Sequence, residues 1–369
     1  MFAMLRIPVR TTSHSYEVVI EHGLLARVGE ILYGLLGEIR PLFIITVPPV
    51  HRRWGKRLLK SLKNAGFTPQ VIQMSDGERF KRLATVETLA EGLLKIGADR
   101  KAVVLAFGGG IVGDVAGMLA SVYMRGVKLV QVPTTVQAQL DAAIGGKTGV
   151  NLKSGKNLVG TFYQPEVVLI DPAVLETLPE REFRAGMYEA IKAGVIGNPT
   201  LFGRLERSSL KSLRKDPELV AWTIAESARL KVEVVSADEK EAGLRRVLNF
   251  GHTLGHALET ATSYKHFLHG EAVAWGMIAA AKIANEMQFA KNGTFDRVRD
   301  ASLAWGKLPS VTLTTEKAIS LVRSDKKTEA GVTNFVLPKE IGRVEVVSNV
   351  REPAIASALA EIRRLSRAQ

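Results

Sequence analysis

The chain has 369 residues, of which 46% are hydrophobic and 24% charged, and it contains no cysteine. This length predicts two domains, and the lack of cysteine excludes disulfides and thiolate zinc sites, so a metal ion would need His, Asp or Glu ligands. The formal net charge of +13 suits nucleic acid, an acidic membrane or an anionic small molecule as partner. Because the basic residues are scattered, we expect a small anionic substrate and no nucleic acid.

The sequence shows no targeting or membrane segment. The first ten residues, MFAMLRIPVR, hold an arginine and a proline where a signal peptide has its apolar region. The longest apolar stretch, residues 272–281, is much shorter than the roughly 20 residues of a membrane span. We therefore expect a cytoplasmic protein without membrane attachment.

The first half of the chain alternates apolar, β-rich runs with amphipathic stretches of helical length. This alternation predicts a mostly parallel sheet flanked by helices, with ligands at the carboxyl ends of the strands. The predicted strands are residues 16–20, 42–47, 69–74, 102–107, 127–132 and 167–170.

The second half is predominantly helical, apart from a short β pair at 334–337 and 344–347. We place the domain boundary after Leu178, so that the domains are residues 1–178 and 179–369. The predicted helices are residues 180–196, 218–236, 248–262, 270–288 and 354–367.

A glycine-rich turn, Phe107-Gly-Gly-Gly-Ile-Val-Gly-Asp114, follows a predicted strand and precedes a helix. Glycines there let a pyrophosphate approach the helix N-terminus, where negative charge is favoured. The spacing differs from G-x-G-x-x-G, and a tight turn with positive φ is the structural alternative. We interpret the turn as a phosphate or nucleotide site.

A second glycine-rich segment runs from Gly145-Gly-Lys-Thr-Gly149 to Gly155-Lys-Asn157. It fails the spacing of a P-loop, and we predict a flexible loop that carries Lys147 and Lys156. Lysines supply point charges for phosphate oxygens, but a solvated linker explains the segment equally well.

Histidines cluster late in the chain, where four of the seven fall between Gly251 and Gly270. His252 and His256 are four residues apart and share a helix face. Thr253 occupies the place of the general-base glutamate in H-E-x-x-H, which disfavours a zinc protease. The clustering favours a metal site.

Glu189 and Lys192 are three residues apart on a predicted helix. By themselves, these residues favour a surface ion pair of small energetic value.

Together these segments resemble the 3-dehydroquinate synthase family and its sugar phosphate cyclase relatives. The resemblance rests on ordered motifs between Asp76 and Lys327, including GGGIVGDVAG, VPTT, GMYEAIK, LNFGHTLGHALE and HGEAVAWGM. It implies a Rossmann-like α/β N-terminal domain, an all-α C-terminal domain and an active site in the cleft between them.

The resemblance also implies a metal centre and a bound NAD. Glu189, His252 and His269 would hold Zn²⁺ or Co²⁺, a ligand set typical of catalytic zinc, and this replaces the surface-pair interpretation of Glu189. Asp141 and Lys156 would lie near the nicotinamide. The other residues that would contact NAD are Glu78, Lys81, Gly109, Gly110, Asp114, Thr134, Thr135 and Thr177.

The remaining residues that the resemblance implies would bind the substrate. Lys231 and Arg245 resemble the pair that holds a carboxylate, and Lys192, Glu241 and His256 would complete the pocket. In relatives the arginine that corresponds to Arg125 reaches a neighbouring subunit, which implies a homodimer. The phosphate contacts would be Arg125, Lys147, Asn157, Asn249 and either Lys326 or Lys327.

The implied reaction converts 3-deoxy-D-arabino-heptulosonate 7-phosphate to 3-dehydroquinate and phosphate in the shikimate pathway. NAD would oxidise a hydroxyl transiently, phosphate would be eliminated, the hydride would return, and ring opening and an intramolecular aldol step would close the carbocycle. The protein would orient intermediates and stabilise enolate and phosphate charge.

One segment departs from the family pattern. After strand 42–47 the family usually has an acidic or polar pair near the adenosine ribose, whereas this chain has Val47-Pro48-Pro49. Neither valine nor proline has a side chain that accepts a hydrogen bond from a ribose hydroxyl.

Two alternative enzymes remain. A cyclase acting on sedoheptulose 7-phosphate would not need the carboxylate-binding Lys231 and Arg245. A metal-dependent polyol dehydrogenase would need fewer phosphate-binding lysines and would release NADH. A basic binding or scaffold protein is disfavoured by the complete set of implied metal ligands.

Overall fold

The computed structural model describes residues 4–323, 333–348 and 350–369. The chain forms two compact units, the first comprising Met1–Leu178 with Pro217–Lys240 and the second comprising Pro179–Asp216 with Glu241–Gln369. The division after Leu178 coincides with the predicted boundary. The segment Pro217–Lys240 groups with the first unit, although the prediction assigned it to the second domain.

The described elements begin and end as follows. The strands are β1 (Leu5–Arg10), β2 (Ser15–Ile20), β3 (Leu42–Thr46), β4 (Gln70–Gln73), β5 (Val103–Gly108), β6 (Lys128–Pro133), β7 (Lys147–Leu152), β8 (Gly155–Phe162), β9 (Val167–Ile170), β10 (Asn334–Glu340) and β11 (Arg343–Ser348). The helices are α1 (Val28–Leu36), α2 (Pro48–Val50), α3 (Lys56–Asn64), α4 (Leu83–Lys95), α5 (Gly110–Val122), α6 (Glu180–Gly197), α7 (Pro199–Glu206), α8 (Leu210–Lys215), α9 (Pro217–Ala237), α10 (His252–Ala261), α11 (His269–Glu286), α12 (Thr294–Leu303), α13 (Thr315–Arg323) and α14 (Glu352–Ala368).

The first unit is built on a seven-stranded sheet with the order β1-β2-β9-β6-β5-β3-β4. Only the β1–β2 pair is antiparallel, so the predicted parallel α/β arrangement is confirmed. Strands β3 and β5 are buried along their whole length, as expected where helices cover both faces of a sheet. All six predicted strands are present, whereas β1 was not predicted.

The strand register places three strand ends side by side. Thr46 at the end of β3 pairs with Phe107 on β5, and Gly108 at the end of β5 pairs with Pro133 on β6. The residues that follow these strands therefore share one edge of the sheet, which is where open α/β sheets bind their ligands.

The second glycine-rich segment is an antiparallel hairpin of β7 and β8, so the prediction of a flexible loop is wrong. Thr148 pairs with Thr161 and Val150 with Val159, and the Thr148 and Thr161 hydroxyl oxygens are 2.7 Å apart. The strand partners lie beyond the glycine run, which is why that run alone suggested a loop.

Within the part of the chain that the structure describes, the second unit is helical apart from the predicted hairpin of β10 and β11. Helix α11 is buried from Gly270 to Ala281 and packs against α6, α10, α12 and α14. Among the described residues, every helix is too short or too polar to span a lipid bilayer.

Two glycines let α11 touch the backbones of its neighbours. A Cβ atom on Gly270 would lie 1.7 Å from the carbonyl oxygen of Ala185 in α6. A Cβ atom on Gly276 would lie 1.8 Å from the carbonyl oxygen of Gly251, the residue before α10. No other residue type fits at such distances, so Gly270 allows the first turn of α11 to lie against α6, and Gly276 allows α11 to lie against the start of α10.

Glu239 joins the end of the α9 segment to the rest of the first unit. Its carboxylate accepts hydrogen bonds from Thr12 Oγ1 at 2.5 Å, from the backbone N–H and hydroxyl of Ser13, and from Gln164 Nε2 at 2.9 Å. Burial raises the pKa of Glu239, but the hydrogen bonds from Ser13, Thr12 and Gln164 outweigh it and lower the pKa to about 2.

We predict that Glu239→Gln lowers the free energy of unfolding by about 1–3 kcal/mol at pH 7, because an amide places its own N–H groups against these donors. The folded pKa of about 2 lies below the unfolded value of about 4.3. The stabilisation by Glu239 is therefore complete above pH 4.3 and is lost as the pH falls through 2.

Urea unfolding of wild type and variant at pH 7 and at pH 3 measures this effect. The difference between the two proteins should shrink at pH 3. Glu87→Gln, at an exposed carboxylate on α4, is the matched control and should leave stability unchanged. A pH-independent difference would contradict the assignment.

Candidate active site

Three predicted metal ligands converge in the second unit. Glu189 on α6, His252 at the start of α10 and His269 at the start of α11 each offer a ligand atom, and these atoms lie within 4.8 Å of one another. His269 Nε2 is 3.3 Å from Glu189 Oε1. Two ligands of a tetrahedral zinc ion at ~2.0–2.1 Å are roughly 3.3 Å apart, so the donor set and its spacing fit a divalent metal.

Glu189 and Lys192 are both buried, and Lys192 Nζ lies 2.5 Å from Glu189 Oε2. The interpretation of this pair as a surface ion pair is therefore wrong. The i,i+3 spacing was read correctly, but the sequence does not reveal that α6 is covered by α11. The site thus holds a buried lysine side chain beside the candidate metal ligands.

The two carboxylates around His269 favour a cation. Burial lowers the pKa of His269, but Glu259 and Glu189 outweigh it and raise the pKa to about 10. An environment that holds a proton on imidazole this strongly also attracts a divalent ion. His256 lies beside the ligands, with its ring centroid 5.4 Å from that of His252 and 6.2 Å from that of His269.

Two carboxylates at this site were not predicted. Glu259 on α10 lies 3.1 Å from His269 Nδ1, and with His256 and His269 it forms a second group whose ligand atoms lie within 4.8 Å. Glu271 accepts hydrogen bonds from the Leu268 N–H at 2.9 Å and from Arg181 Nε and Nη2 at 2.8 and 2.7 Å. Glu271 thereby fixes the first turn of α11, on which His269 sits.

Three further candidates lie in the second unit. Arg245 is fully buried, and its guanidinium remains charged in any protein environment. Asn249 Nδ2 donates to Glu241 Oε1 at 2.9 Å, and Glu241 has a left-handed backbone with a φ of 61°. Non-glycine residues held in this conformation cluster at functional sites.

The predicted cofactor residues meet at the carboxyl edge of the sheet in the first unit. Gly109 precedes the first residue of α5, Gly110, and a Cβ on Gly109 would lie 3.0 Å from Thr135 Cγ2. Thr134 Oγ1 and Thr46 Oγ1 are buried and have no hydrogen-bond partner in the described part of the chain. Two hydroxyls without partners at this edge fit a polar ligand such as NAD. Thr46 was not predicted.

A polar network joins the glycine-rich turn to the hairpin. The buried Lys81 ammonium donates to Asp114 on α5 and to Asn157 Oδ1, the latter at 2.5 Å. Asn151 accepts from the Asn157 N–H at 2.9 Å and donates to Glu78 at 2.7 Å. Burial raises the pKa of Asp114, and the Lys81 charge offsets this only in part.

Most predicted residues of this region are therefore neighbours, with Lys156 Nζ 3.6 Å from Glu78 Oε1 as a further link. Asn151 is the member that sequence reasoning missed. A signal was present, since it precedes the predicted loop residues Lys156 and Asn157 in a short polar stretch.

Two other pairs contain further candidate residues of the first unit. Lys231 on α9 lies 2.5 Å from Asp141, which belongs to a π-helical turn at Ala138–Ala142. Thr177 Oγ1 accepts a hydrogen bond from Trp54 Nε1 at 3.0 Å. The structure thus joins Lys231, predicted to bind the substrate, to Asp141, predicted to lie near the nicotinamide.

The residues predicted to contact the phosphate are brought together only in part. Arg125 is exposed and, within the described residues, makes no hydrogen bond or ion pair with the other candidates. Its φ is 67° and that of Met124 is 49°, so two successive residues have left-handed backbones. Lys147 is exposed at the start of β7. Lys326 and Lys327 lie outside the described residues.

The Val47-Pro48-Pro49 segment forms the junction between β3 and α2. Val47 is buried and extended, and Pro48 begins the helix. Proline suits a first helical position because its missing N–H would have no partner there. The segment therefore has a structural explanation, and it places no carboxylate at the end of β3.

Comparison with known proteins agrees with this geometry. Residues 71–185 match the family model for the 3-dehydroquinate synthase N-terminal domain, and residues 186–328 match that for the C-terminal domain. The chain is 51% identical to a 3-dehydroquinate synthase of Koribacter versatilis (strain Ellin345) over 363 residues, which is 98% of this chain and 99% of the relative.

Solved structures show the same fold. A 2-deoxy-scyllo-inosose synthase complexed with carbaglucose-6-phosphate, NAD⁺ and Co²⁺ is 26% identical, covers 97% of this chain and 99% of its own, and has a TM-score of 0.86. The 2-epi-5-epi-valiolone synthase of Streptomyces hygroscopicus subsp. jinggangensis 5008, with NAD⁺ and Zn²⁺ bound, is 28% identical to this chain. The match covers 95% of this chain and 98% of that protein, and its TM-score is also 0.86.

The fold is therefore that of the sugar phosphate cyclases. Within that class, the chain belongs to the 3-dehydroquinate synthase family.

We predict that His252→Ala reduces metal affinity by more than the roughly 10–100-fold that loss of an outer hydrogen-bond partner costs, because it removes a ligand. Metal content after gel filtration, measured by mass spectrometry of the elements, checks this. His266→Ala is the matched control: His266 is exposed and its Nε2 lies 3.1 Å from the Ser310 carbonyl oxygen. Equal metal retention by both variants would remove His252 from the ligand set.

Proposed function

We propose that the chain is a 3-dehydroquinate synthase that converts 3-deoxy-D-arabino-heptulosonate 7-phosphate to 3-dehydroquinate and phosphate. The observation that carries this proposal is the cluster of Glu189, His252 and His269. Near-full-length identity of 51% to a protein of that name supports it. The first unit would bind NAD, and the second would bind Zn²⁺ or Co²⁺.

The bound groups would supply two kinds of chemistry. NAD would accept a hydride from the substrate and return it, and the metal would polarise the substrate hydroxyls as a Lewis acid. Glu189, His252 and His269 would hold the metal. The Gly109–Gly110 turn would receive the pyrophosphate at the N-terminus of α5.

The side chains of the protein would position the substrate and balance its charge. Lys231 and Arg245 would bind the carboxylate, and Lys192 would supply positive charge beside the metal ligands. The phosphate would be contacted by Lys147, Asn157, Asn249 and Arg125. The phosphate group would itself take the proton from the neighbouring carbon and then leave the substrate. Orientation and charge stabilisation of this kind account for large parts of enzymatic rate enhancement.

Two properties of the site disfavour the alternative enzymes. A buried guanidinium such as that of Arg245 suits the carboxylate of the proposed substrate, whereas sedoheptulose 7-phosphate has no carboxylate. A polyol dehydrogenase acting on an uncharged substrate would have no use for Lys192 and Lys231, which lie buried or nearly so beside carboxylates.

We predict that metal-loaded protein with trace NAD releases phosphate and forms dehydroquinate in large molar excess over the added NAD, because the hydride returns in each cycle. Phosphate release and product absorbance measure this. A parallel reaction with sedoheptulose 7-phosphate should be at least about 100-fold slower, as expected where buried charged groups lose their partner.

The outcomes separate the candidates. Turnover of sedoheptulose 7-phosphate alone would contradict the carboxylate roles of Lys231 and Arg245. Product limited to the amount of added NAD, with NADH accumulating, would indicate a dehydrogenase.

We also propose that the chain acts as a homodimer in which Arg125 completes the site of the partner subunit. Arg125 is exposed on a left-handed backbone, a conformation that costs free energy and is kept where it has a function. Val122, three residues before Arg125, is 47% exposed, and Leu158 and Phe162 on β8 are 47% and 44% exposed. Exposed apolar side chains mark a protein–protein contact where they form a contiguous patch.

Co-expression of two inactive variants tests this arrangement. If Arg125 acts in the partner's site, a mixture of Arg125→Ala and Lys192→Met chains contains heterodimers with one intact site, and roughly a quarter of wild-type activity should return. Either variant alone should be inactive. If the mixture stays inactive although light scattering shows dimers, Arg125 acts within its own subunit.

A further inference from the structure

Glu259 is a buried carboxylate on the face of α10 that carries the metal-site histidines. It follows His252 by seven residues and His256 by three, and residues at i, i+4 and i+7 share a helix face. Only 4% of Glu259 is exposed. A buried carboxylate costs free energy unless it is paired, and its Oε2 lies 3.1 Å from His269 Nδ1.

The two ring nitrogens of His269 face two different carboxylates. Nδ1 lies 3.1 Å from Glu259 Oε2, and Nε2 lies 3.3 Å from Glu189 Oε1. Glu189 belongs to the metal cluster with His252. If Nδ1 carries a proton and donates it to Glu259, the Nε2 lone pair points toward Glu189 and His252, where a metal ion would need it.

His252 is held in the same way by a different acceptor. Its Nδ1 lies 3.1 Å from the carbonyl oxygen of Phe250, and a carbonyl can only accept a hydrogen bond. Nδ1 of His252 therefore carries the proton, and Nε2 remains available as a ligand. The two histidines of the cluster thus share one tautomer, which is fixed by a backbone carbonyl in one case and by Glu259 in the other.

The same carboxylate also belongs to a second possible ligand group, with His256 and His269. In that group His269 faces Glu259 through Nδ1, whereas in the first group it faces Glu189 through Nε2. A neutral imidazole offers only one lone pair, so the two positions compete for His269. The first group has the carboxylate Glu189 and a second histidine whose proton is already assigned, which favours it.

We propose that Glu259 is a positioning residue that orients His269 with Nε2 toward Glu189 and His252 and thereby strengthens metal binding. Glu259 does not touch the metal or the substrate in this arrangement. The inference rests on the proposed metal-dependent function, and it adds a residue that acts through a ligand rather than as one.

Metal affinity of the chelator-stripped protein tests the proposal. Zn²⁺ and Co²⁺ are titrated in competition with a chromophoric chelator into wild type, Glu259→Ala and Glu259→Gln. We expect Glu259→Ala to bind about 10–100-fold more weakly. Glu259→Gln should lie between the two, because its amide oxygen still accepts the Nδ1 proton while the negative charge is gone.

Two further readouts separate positioning from folding. The melting temperature of the metal-free variants should match that of the metal-free wild type. Nitrogen-15 spectra of the zinc-bound wild type should show His269 protonated at Nδ1, and Glu259→Ala should lose that single tautomer. Glu286→Ala, on the same unit but at the far end of α11 where it pairs with Lys282, is the matched control and should bind metal like wild type.

Several results would overturn the inference. Wild-type affinity in both Glu259 variants would remove the positioning role. Two bound Co²⁺ ions in wild type, with only the second lost in Glu259→Ala, would make Glu259 a ligand instead. A wild-type protein that binds neither metal would contradict the metal centre itself, and with it the proposed function, whereas the first two results would leave that function intact.

Discussion

The candidate metal site depends on the backbone contact of α11 with α6 and α10. Packed helices are commonly 8–10 Å apart, but Gly270 and Gly276 leave no room for a Cβ atom. Three helices thereby come together, and each contributes one ligand near its contact point. Ligands on helices that touch at the backbone are held more rigidly than ligands on loops. The site is consequently a product of helix packing, with Glu271 and Arg181 holding the first turn of α11 in place.

Lysines paired with carboxylates recur among the candidate residues. Lys81 with Asp114, Lys231 with Asp141, and Lys192 with Glu189 are all buried or largely so. Burying such pairs gains little stability, because desolvation offsets the attraction between the charges. Such pairs place ammonium groups beside carboxylates inside the protein. An anionic substrate would then compete with the protein's own carboxylates for these groups.

The sequence predicted the parallel sheet well, because strands covered on both faces are continuous apolar runs. It missed β1, whose residues alternate between exposed and buried and include Pro8. It misjudged the β7–β8 hairpin because Gly145 and Gly146 directly precede β7 and Gly149 lies within it. The candidate metal ligands were predicted through motif order. Glu259 was missed because its contact with His269 depends on how α10 packs against α11. The grouping of α9 with the first unit depends on tertiary contacts, such as those of Glu239 with Thr12 and Ser13, which no local pattern reveals.

The chain passes between the two units three times, at residues 178, 216 and 240. A ribosome therefore delivers the α9 segment of the first unit only after it has made Pro179–Asp216, which belongs to the second. Domains usually fold as units in the order of their synthesis. The first unit, however, cannot be complete until Pro217–Lys240 has been synthesised. Neither unit is a contiguous stretch of chain. A gene cut after residue 178 would therefore separate α9 from the sheet that it packs against. Each unit therefore depends on a segment that is synthesised and encoded between parts of the other unit.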